Sequence, residues 1–430
     1  MTGGGSPVAG SSPVGGAVLV PGSKSIANRA LVVAGLADGD STLIGVPDGD
    51  DTVAMLAGLG ALGVTVDSAS DTVRIAGGGG LVRAGGRVDA KLAGTTSRFL
   101  TAMAALADGE VTIDGDPPLR SRPMVHLHAS LVALGAAFEY EEHHGHLPAR
   151  LIGPVRVGGA VSLPGDVSSQ FVTALMLIAP LLDGGLRIDL TSPLVSGPYV
   201  RLTAAVMAAF GVDGTVIDDS SVRVPAGRYR GREYVVEPDA SSASYPLAIA
   251  AVRGGDVTIP GLTRTSLQGD IAVLDLLAEM GCDVTSTPSS VTLSRGPGTA
   301  LRGVDVDMSD VSDLVPTIAA VAVTATTPTT ISGVGFIRAK ESDRLGDLAG
   351  ELARTGAWVA ATADGLRIEP VAGGAAGLRG ARLATHHDHR LAMAFAVLGS
   401  VVDGITIDDP GVVAKSWPGF WSAYDALLAP

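Results

Sequence analysis

Six stretches of this chain open on small polar residues, run into an apolar segment of helix length, break at a Gly or Pro turn and end in a short β-rich run. They are SKSIANRALVVAGLADGDSTLIG, TTSRFLTAMAALADGEVTIDG, SSQFVTALMLIAPLLDGGLRIDL, SSASYPLAIAAVRGGDVTIPG, VSDLVPTIAAVAVTATTPTTISG and HDHRLAMAFAVLGSVVDGITIDD. Their aligned openings at Ser25, Ser97, Ser169, Ser242, Ser312 and His389 lie about 72 residues apart, the mark of a repeat architecture. Between them runs a second helix that ends near a small residue and then a strand, as in LAGLGALGVTV and LVALGAAFEY. Each unit therefore has β-α-β-α-β-β character, and there are six. The first helix of each unit is apolar nearly all round, as a helix buried on every side must be. Six such helices predict an α/β chain of two domains, each a cluster of three buried helices wrapped in sheet.

Composition removes several function classes. At 430 residues and 46% hydrophobic, the chain can bury two ordinary cores. The opening MTGGGSPVAGSSPVGG reads as a loose Gly/Ser/Pro-rich tail rather than a signal peptide. FVTALMLIAPLL, the longest apolar stretch, is too short to cross a bilayer, and with the single cysteine this predicts a cytoplasmic protein. Cys282, in EMGCDV, reads as a small core residue. A net charge of −14 excludes nucleic acid and acidic membranes as partners, so any bound anion must meet a local exception. Only four of the 30 basic residues are lysines: Lys24, Lys91, Lys340 and Lys415. An ammonium can be desolvated and lose its proton where a guanidinium cannot, so each lysine is a candidate.

The chemistry-bearing residues sit at the repeat openings. The signatures are PGSKSIANR, AGTTSRF, RSRP, SSQF, SGPY, SDL, RAKESDRL, HDHR and AKSWP. Gly22-Ser23-Lys24-Ser25 is not a nucleotide P-loop, because Ser23 separates Gly22 from the lysine. The Ser, Thr and Asp openings suit helix caps, and helix starts present free N–H groups and partial positive charge to an anion. Asp313 and Glu341 lie beside Lys340 in these signatures, the equipment for moving a proton between two anionic ligands. RAKESDRL could also be a solvated helix face, in which Lys340 and Arg344 would form an unfavourable like-charged i,i+4 pair. EEHHGHLP and HDHR hold several histidines but lack metal-ligand spacing, and EEHHGHLP reads as a hairpin turn.

In order and spacing, these motifs with the D-SSASY, QGD, KESDR and DHR stretches closely resemble the 5-enolpyruvylshikimate-3-phosphate synthases, within the enolpyruvyl transferase family. The resemblance runs from about Val18 to Pro418. It implies the two-domain enolpyruvyl transferase fold of six βαβαββ repeats, three per domain. Residues 1–21 plus 238–430 would form one discontinuous domain and 22–237 an inserted one, with the active site in the cleft between them. It implies transfer of the carboxyvinyl group of phosphoenolpyruvate to shikimate 3-phosphate by a monomer, with no metal or organic cofactor.

Carried over by residue, the resemblance places Lys24, Ser25, Arg29, Ser168, Ser169, Gln170, Ser196, Tyr199, Asp313 and Lys340 on shikimate 3-phosphate. Lys24, Gly94, Thr95, Arg122, Gln170, Glu341, Arg344, Arg390 and Lys415 fall on phosphoenolpyruvate, with Arg98 shaping the loop. Lys24, Asp313 and Glu341 would be catalytic. Glyphosate should then compete with phosphoenolpyruvate. Two departures stand out: Lys91-Leu92-Ala93 where the family commonly has Asn-Ala before Gly-Thr, and Phe336 where an Asn often touches the phosphorylated substrate. They leave open a paralogue with a different acceptor. Lys91 itself reads as a surface residue. A sister family acting on UDP-N-acetylglucosamine typically has Lys-Asn at Lys24-Ser25 and a loop cysteine, both missing here. A binder of anionic metabolites without activity is the reading from another class, and intact Lys24, Asp313 and Glu341 argue against it.

Overall fold

The computed structural model describes residues 12–429, and most of MTGGGSPVAGSSPVGG lies outside them. The chain divides into two compact units, one from Gly22 to Glu237 and the other joining the segment up to Pro21 to everything from Pro238 onward. Among the described residues no helix is long and apolar enough to cross a membrane.

In the unit Gly22–Glu237 three four-stranded sheets share one plan. In the middle repeat, Arg87–Asp89 pairs in parallel with Glu110–Asp114, and that strand pairs antiparallel with Ala149–Ile152, which continues to Ala137–Tyr140. A parallel pair needs a crossover, and helix Gly94–Ala104 supplies it; the antiparallel pair closes through a hairpin that holds EEHHGHLP. Strands Val157–Leu163, Asp183–Leu190, Ser221–Val224 and Val216–Asp218 repeat the pattern. The first repeat borrows its opening strand: Ser41–Ile44 takes Glu233–Val235, from the far end of the unit, as its parallel neighbour. Helices Lys24–Leu36, Gly94–Ala104 and Ser169–Ile178 pack together inside the three sheets, where apolar side chains such as Leu31, Leu100 and Leu175 are fully buried. Each such side chain contributes about 1.5–3 kcal/mol by leaving water.

The second unit follows the same rules with one difference, in its last repeat. Its first sheet also borrows a strand, because Val14–Ala17 pairs in parallel with Gly255–Pro260. The expectation of a loose tail is corrected for Val14–Gly16, the part of it that forms this strand. Gly-rich sequence hid the strand, and the close approach depends on glycine: a Cβ on Gly255 would meet the Val14 carbonyl oxygen at 1.9 Å. The sixth repeat is abbreviated. Arg382–Leu383 and Thr406–Ile407 make a two-stranded sheet, and helix Phe420–Leu428 follows where a hairpin would be expected. Trp417, Phe420, Trp421 and Tyr424 form an aromatic cluster there, with Trp417 and Phe420 buried in the core. Helices Ala240–Arg253, Val315–Ala322 and His389–Gly399 are the buried trio of this unit.

Candidate active site

Each unit carries its own cluster of the residues singled out in the sequence. In the unit Gly22–Glu237 the cluster grows from helix starts. Gly22 admits no side chain, since a Cβ would fall 1.7 Å from the Gly45 carbonyl oxygen, and this tight entry sets Ser23 as the cap of helix Lys24–Leu36. Lys24 then donates from Nζ to Asp51 Oδ2 at 2.8 Å, at the start of helix Asp50–Ala61. Thr96 ties the same corner to the next helix by donating to the Asp51 carbonyl oxygen.

Arg29 lies one turn further, 3% exposed, between the rings of Phe99 and Tyr199, with its carbon centre 5.3 and 5.7 Å from their centroids. It donates to Thr203 Oγ1 at 2.8 Å and to the Ser25 carbonyl at 2.7 Å, with longer bonds to Thr173 Oγ1 and the Tyr199 carbonyl. Burial pulls its pKa down to about 10, so it stays cationic at neutral pH.

Gly94 marks a second convergence. A Cβ there would lie 2.7 Å from Arg98 Nη1, 3.0 Å from Arg122 Nη1 and 3.6 Å from Gln170 Oε1. Gln170 also donates to Thr95 Oγ1, and Arg98 turns back onto the Gly94 carbonyl. Ser168 caps helix Ser169–Ile178. Ser196, buried and left-handed at φ 55°, precedes helix Gly197–Ala209. Lys91 stays outside this convergence, with its side chain 61% exposed and paired with Asp89 at 2.5 Å.

The second cluster is a carboxylate–guanidinium network. Arg344, 1% exposed, donates to Asp388 Oδ2 at 2.7 Å, Asp313 Oδ1 at 2.9 Å and Glu341 Oε2 at 2.6 Å. Arg390 holds the other Asp313 oxygen at 2.7 Å. Asp388 also caps helix His389–Gly399 through the Arg390 N–H. Asp313 and Glu341 each keep 17% of their side-chain surface exposed, whereas Asp388 keeps none, so two of the three carboxylates keep an accessible edge.

Burial pushes the Asp313 carboxyl up, but Arg390, Lys340 and Arg344 together outweigh it and hold the group well below the ordinary carboxylate range. Burial dominates at Lys340 and lowers its pKa; its ammonium lies 5.8 Å from the centroid of the Phe336 ring. Lys415 is buried near the end of the 3-10 helix Pro410–Lys415.

The solvated-helix alternative for RAKESDRL is overturned. Lys340–Leu345 is a non-helical link between the 3-10 helix Gly335–Ala339 and helix Gly346–Arg354, so i,i+4 spacing has no meaning there. Arg344 points into a nest of carboxylates instead. Asp51 was not singled out in the sequence, nor was Asp388 for its own role; the acidic pair at the start of helix Asp50–Ala61 was the available signal for the first. Cys282 is a buried thiol pushed up to about 11 chiefly by burial, which fits a core residue and not a nucleophile. Among the described residues no cluster of three His, Cys, Asp or Glu could hold a metal.

The architecture has close counterparts among solved structures. An EPSP synthase from Acinetobacter baumannii superposes with a TM-score of 0.82 at 25% identity, covering 98% of this chain and 97% of that one. Fold and clusters together define a repeat-built α/β transferase. Residues 8–423 match the family described as EPSP synthase (3-phosphoshikimate 1-carboxyvinyltransferase). Proteins named 3-phosphoshikimate 1-carboxyvinyltransferase are 42% identical in Trichormus variabilis, over 97% of both chains, and 41% identical in Methanosphaerula palustris, over 96% of this chain and 97% of the relative. One from Edwardsiella ictaluri is 40% identical over 96% of both. The chain belongs to the EPSP synthase family.

Proposed function

We propose that the chain transfers the enolpyruvyl group of phosphoenolpyruvate to the 5-hydroxyl of shikimate 3-phosphate and releases phosphate. The observation that carries this reading is the network in which Asp313 and Glu341 flank Arg344 with exposed edges. It offers two proton-handling groups inside a cationic frame, which addition–elimination requires.

In this reading Glu341 protonates the methylene of phosphoenolpyruvate, and the second carbon becomes electrophilic. Asp313 takes the proton of the attacking hydroxyl, and the new C–O bond gives a tetrahedral intermediate. Return of a methyl proton to Glu341 and departure of phosphate restore the double bond. Asp313 is too acidic as it stands to be an efficient base, because three cations stabilise its charge. An incoming dianion that draws on Arg390, Arg344 and Lys340 raises its proton affinity, so substrate binding itself tunes the base.

Arg122, Arg344, Arg390, Lys415 and Lys24, with Gly94, Thr95 and Gln170, are assigned to phosphoenolpyruvate. Lys24, Ser25, Arg29, Ser168, Ser169, Gln170, Ser196, Tyr199 and Lys340 are assigned to shikimate 3-phosphate. The two clusters act on one substrate pair. Domain bounds at 22 and 237, a cytoplasmic monomer and independence from metals belong to the same reading.

A paralogue with another acceptor is not favoured, since relatives at about 40% identity over nearly the whole chain carry the shikimate-pathway name. The test is phosphate release from phosphoenolpyruvate with shikimate 3-phosphate, shikimate or UDP-N-acetylglucosamine. Turnover with shikimate 3-phosphate alone, lost in Asp313→Ala, supports the assignment; turnover with either other acceptor, or an active mutant, overturns it.

A further inference from the structure

The stretch Gln268-Gly269-Asp270 belongs to the motif series but to neither cluster. Gln268 has a plain structural role, since its side chain accepts from the Ala240 N–H at 2.9 Å and donates to the Pro238 carbonyl at 2.8 Å, fastening the entry to helix Ala240–Arg253. Asp270 does not close in the same way. It is 3% exposed on the 3-10 helix Gly269–Ala272, and one oxygen accepts from Ser241 Oγ. The other oxygen, Oδ1, is buried and makes no hydrogen bond.

The charged groups that face Asp270 are Asp313, Arg390 and Asp239. Arg390, whose charge draws on Asp270, already donates to Asp313 Oδ2 at 2.7 Å, so one guanidinium acts on two carboxyls. A second buried anion there has no cation of its own, and like charges that share a site cannot both ionise cheaply. Burial first, then repulsion from Asp313, pushes the Asp270 pKa up to about 7 against the pull of Arg390 and the Ser241 hydrogen bond.

We propose that Asp270 is a positioning residue for Asp313: as a neutral acid it leaves Arg390 to hold the Asp313 carboxylate in place and to meet the anionic substrate, and on ionising it draws that guanidinium aside, so the base loses its placement and the substrate a cation. The inference rests on Asp313 being the base. It gives the enzyme an alkaline limb that belongs to a residue outside substrate contact.

The experiment compares kcat/KM between pH 6 and 8.5 for the wild type, Asp270→Asn and Ser241→Ala. The wild type should lose about tenfold across the limb, while Asp270→Asn, permanently neutral, stays within about twofold. Ser241→Ala removes a hydrogen bond that favours the carboxylate, so its limb should move to higher pH. A limb unchanged in both variants overturns the proposal. Thermal unfolding gives a readout independent of turnover. The folded pKa of Asp270 lies above its unfolded value, so its contribution is intact at low pH and is lost as pH rises through about 7. The Tm of Asp270→Asn relative to wild type should therefore climb between pH 5 and 8.5, and a flat difference sinks the idea. Asp313→Asn separates the two readings. Retained activity in that variant removes the base assignment, whereas a pH-dependent Tm difference that shrinks in the Asp313→Asn background supports the coupling by itself.

Discussion

Arg29 and Arg344 are both sealed from solvent, one in each unit, yet their charges are met in opposite ways. Arg29 bonds to hydroxyls and carbonyls and lies between two rings, and burial lowers its pKa. Burial works against the charge of Arg344 too, but Asp388, Glu341 and Asp313 overcome it and raise the pKa. The first cluster thus keeps a positive charge unbalanced and waits for an anion. The second is balanced in advance, and an anion entering it must take cations away from the carboxylates. Under the proposed function this contrast suits the second cluster to proton handling, where ligand arrival changes proton affinity, and the first to fixed recognition of phosphate.

The largest expected effect comes from breaking the balanced network. Arg344→Ala removes the guanidinium that three carboxylates share, Asp388 fully buried, and should cost about 3–5 kcal/mol in urea unfolding. A loss near zero would mean that water screens the network and that the contrast with Arg29 is empty. Next is acid sensitivity. The folded pKa of Asp313 is depressed, so its stabilisation is present above the unfolded value of about 3.9 and fades as pH falls through the folded one. Wild type should therefore lose more stability than Asp313→Asn between pH 5 and 2.5, as read by chemical denaturation. Parallel curves would contradict the direction.

In the first cluster, Gly94→Ala pushes on the tips of Arg98 and Arg122, which can swing aside, so the fold should survive. The expected result is a KM for phosphoenolpyruvate raised by roughly tenfold with kcat changed far less. A large fall in Tm would show that the arginines cannot yield. The smallest effect belongs to Lys91→Ala, which removes an exposed pair with Asp89 and should leave Tm and both KM values as they are. A raised KM for either substrate would move Lys91 into the first cluster.

Much of this was legible in the sequence because it is local. The spacing of the openings at Ser25, Ser97 and Ser169 is the spacing of buried helices, and Lys340, Glu341 and Arg344 were close enough along the chain to be read as a set. Asp388 was harder, since it reaches Arg344 across 44 positions by a convergence of helix starts that no local pattern encodes. Asp51 meets Lys24 across 27 positions for the same reason. The strand Val14–Ala17 went unseen because two of its four residues are glycine, a poor strand former by itself, and the close backbone approach that seats it falls on Gly255 in the neighbouring strand. The abbreviated sixth repeat carries a short β-rich run, TID, as the second repeat does, but aromatic burial after Lys415 replaces pairing.

The borrowed strands also set a clock. Glu233–Val235 leaves the ribosome at the end of its own unit, so the stretch from Gly22 can complete its sheets as soon as its last strand is made. Val14–Ala17 must wait for Gly255 to be synthesised, about 240 residues later, which at ordinary translation speed is roughly 10–50 s. During that interval a strand edge has no partner. Its VGGA sequence, short, glycine-rich and with one large apolar side chain, is a poor template for any other edge. The chain thereby finishes its inner unit first and keeps its earliest strand inert until its proper neighbour exists.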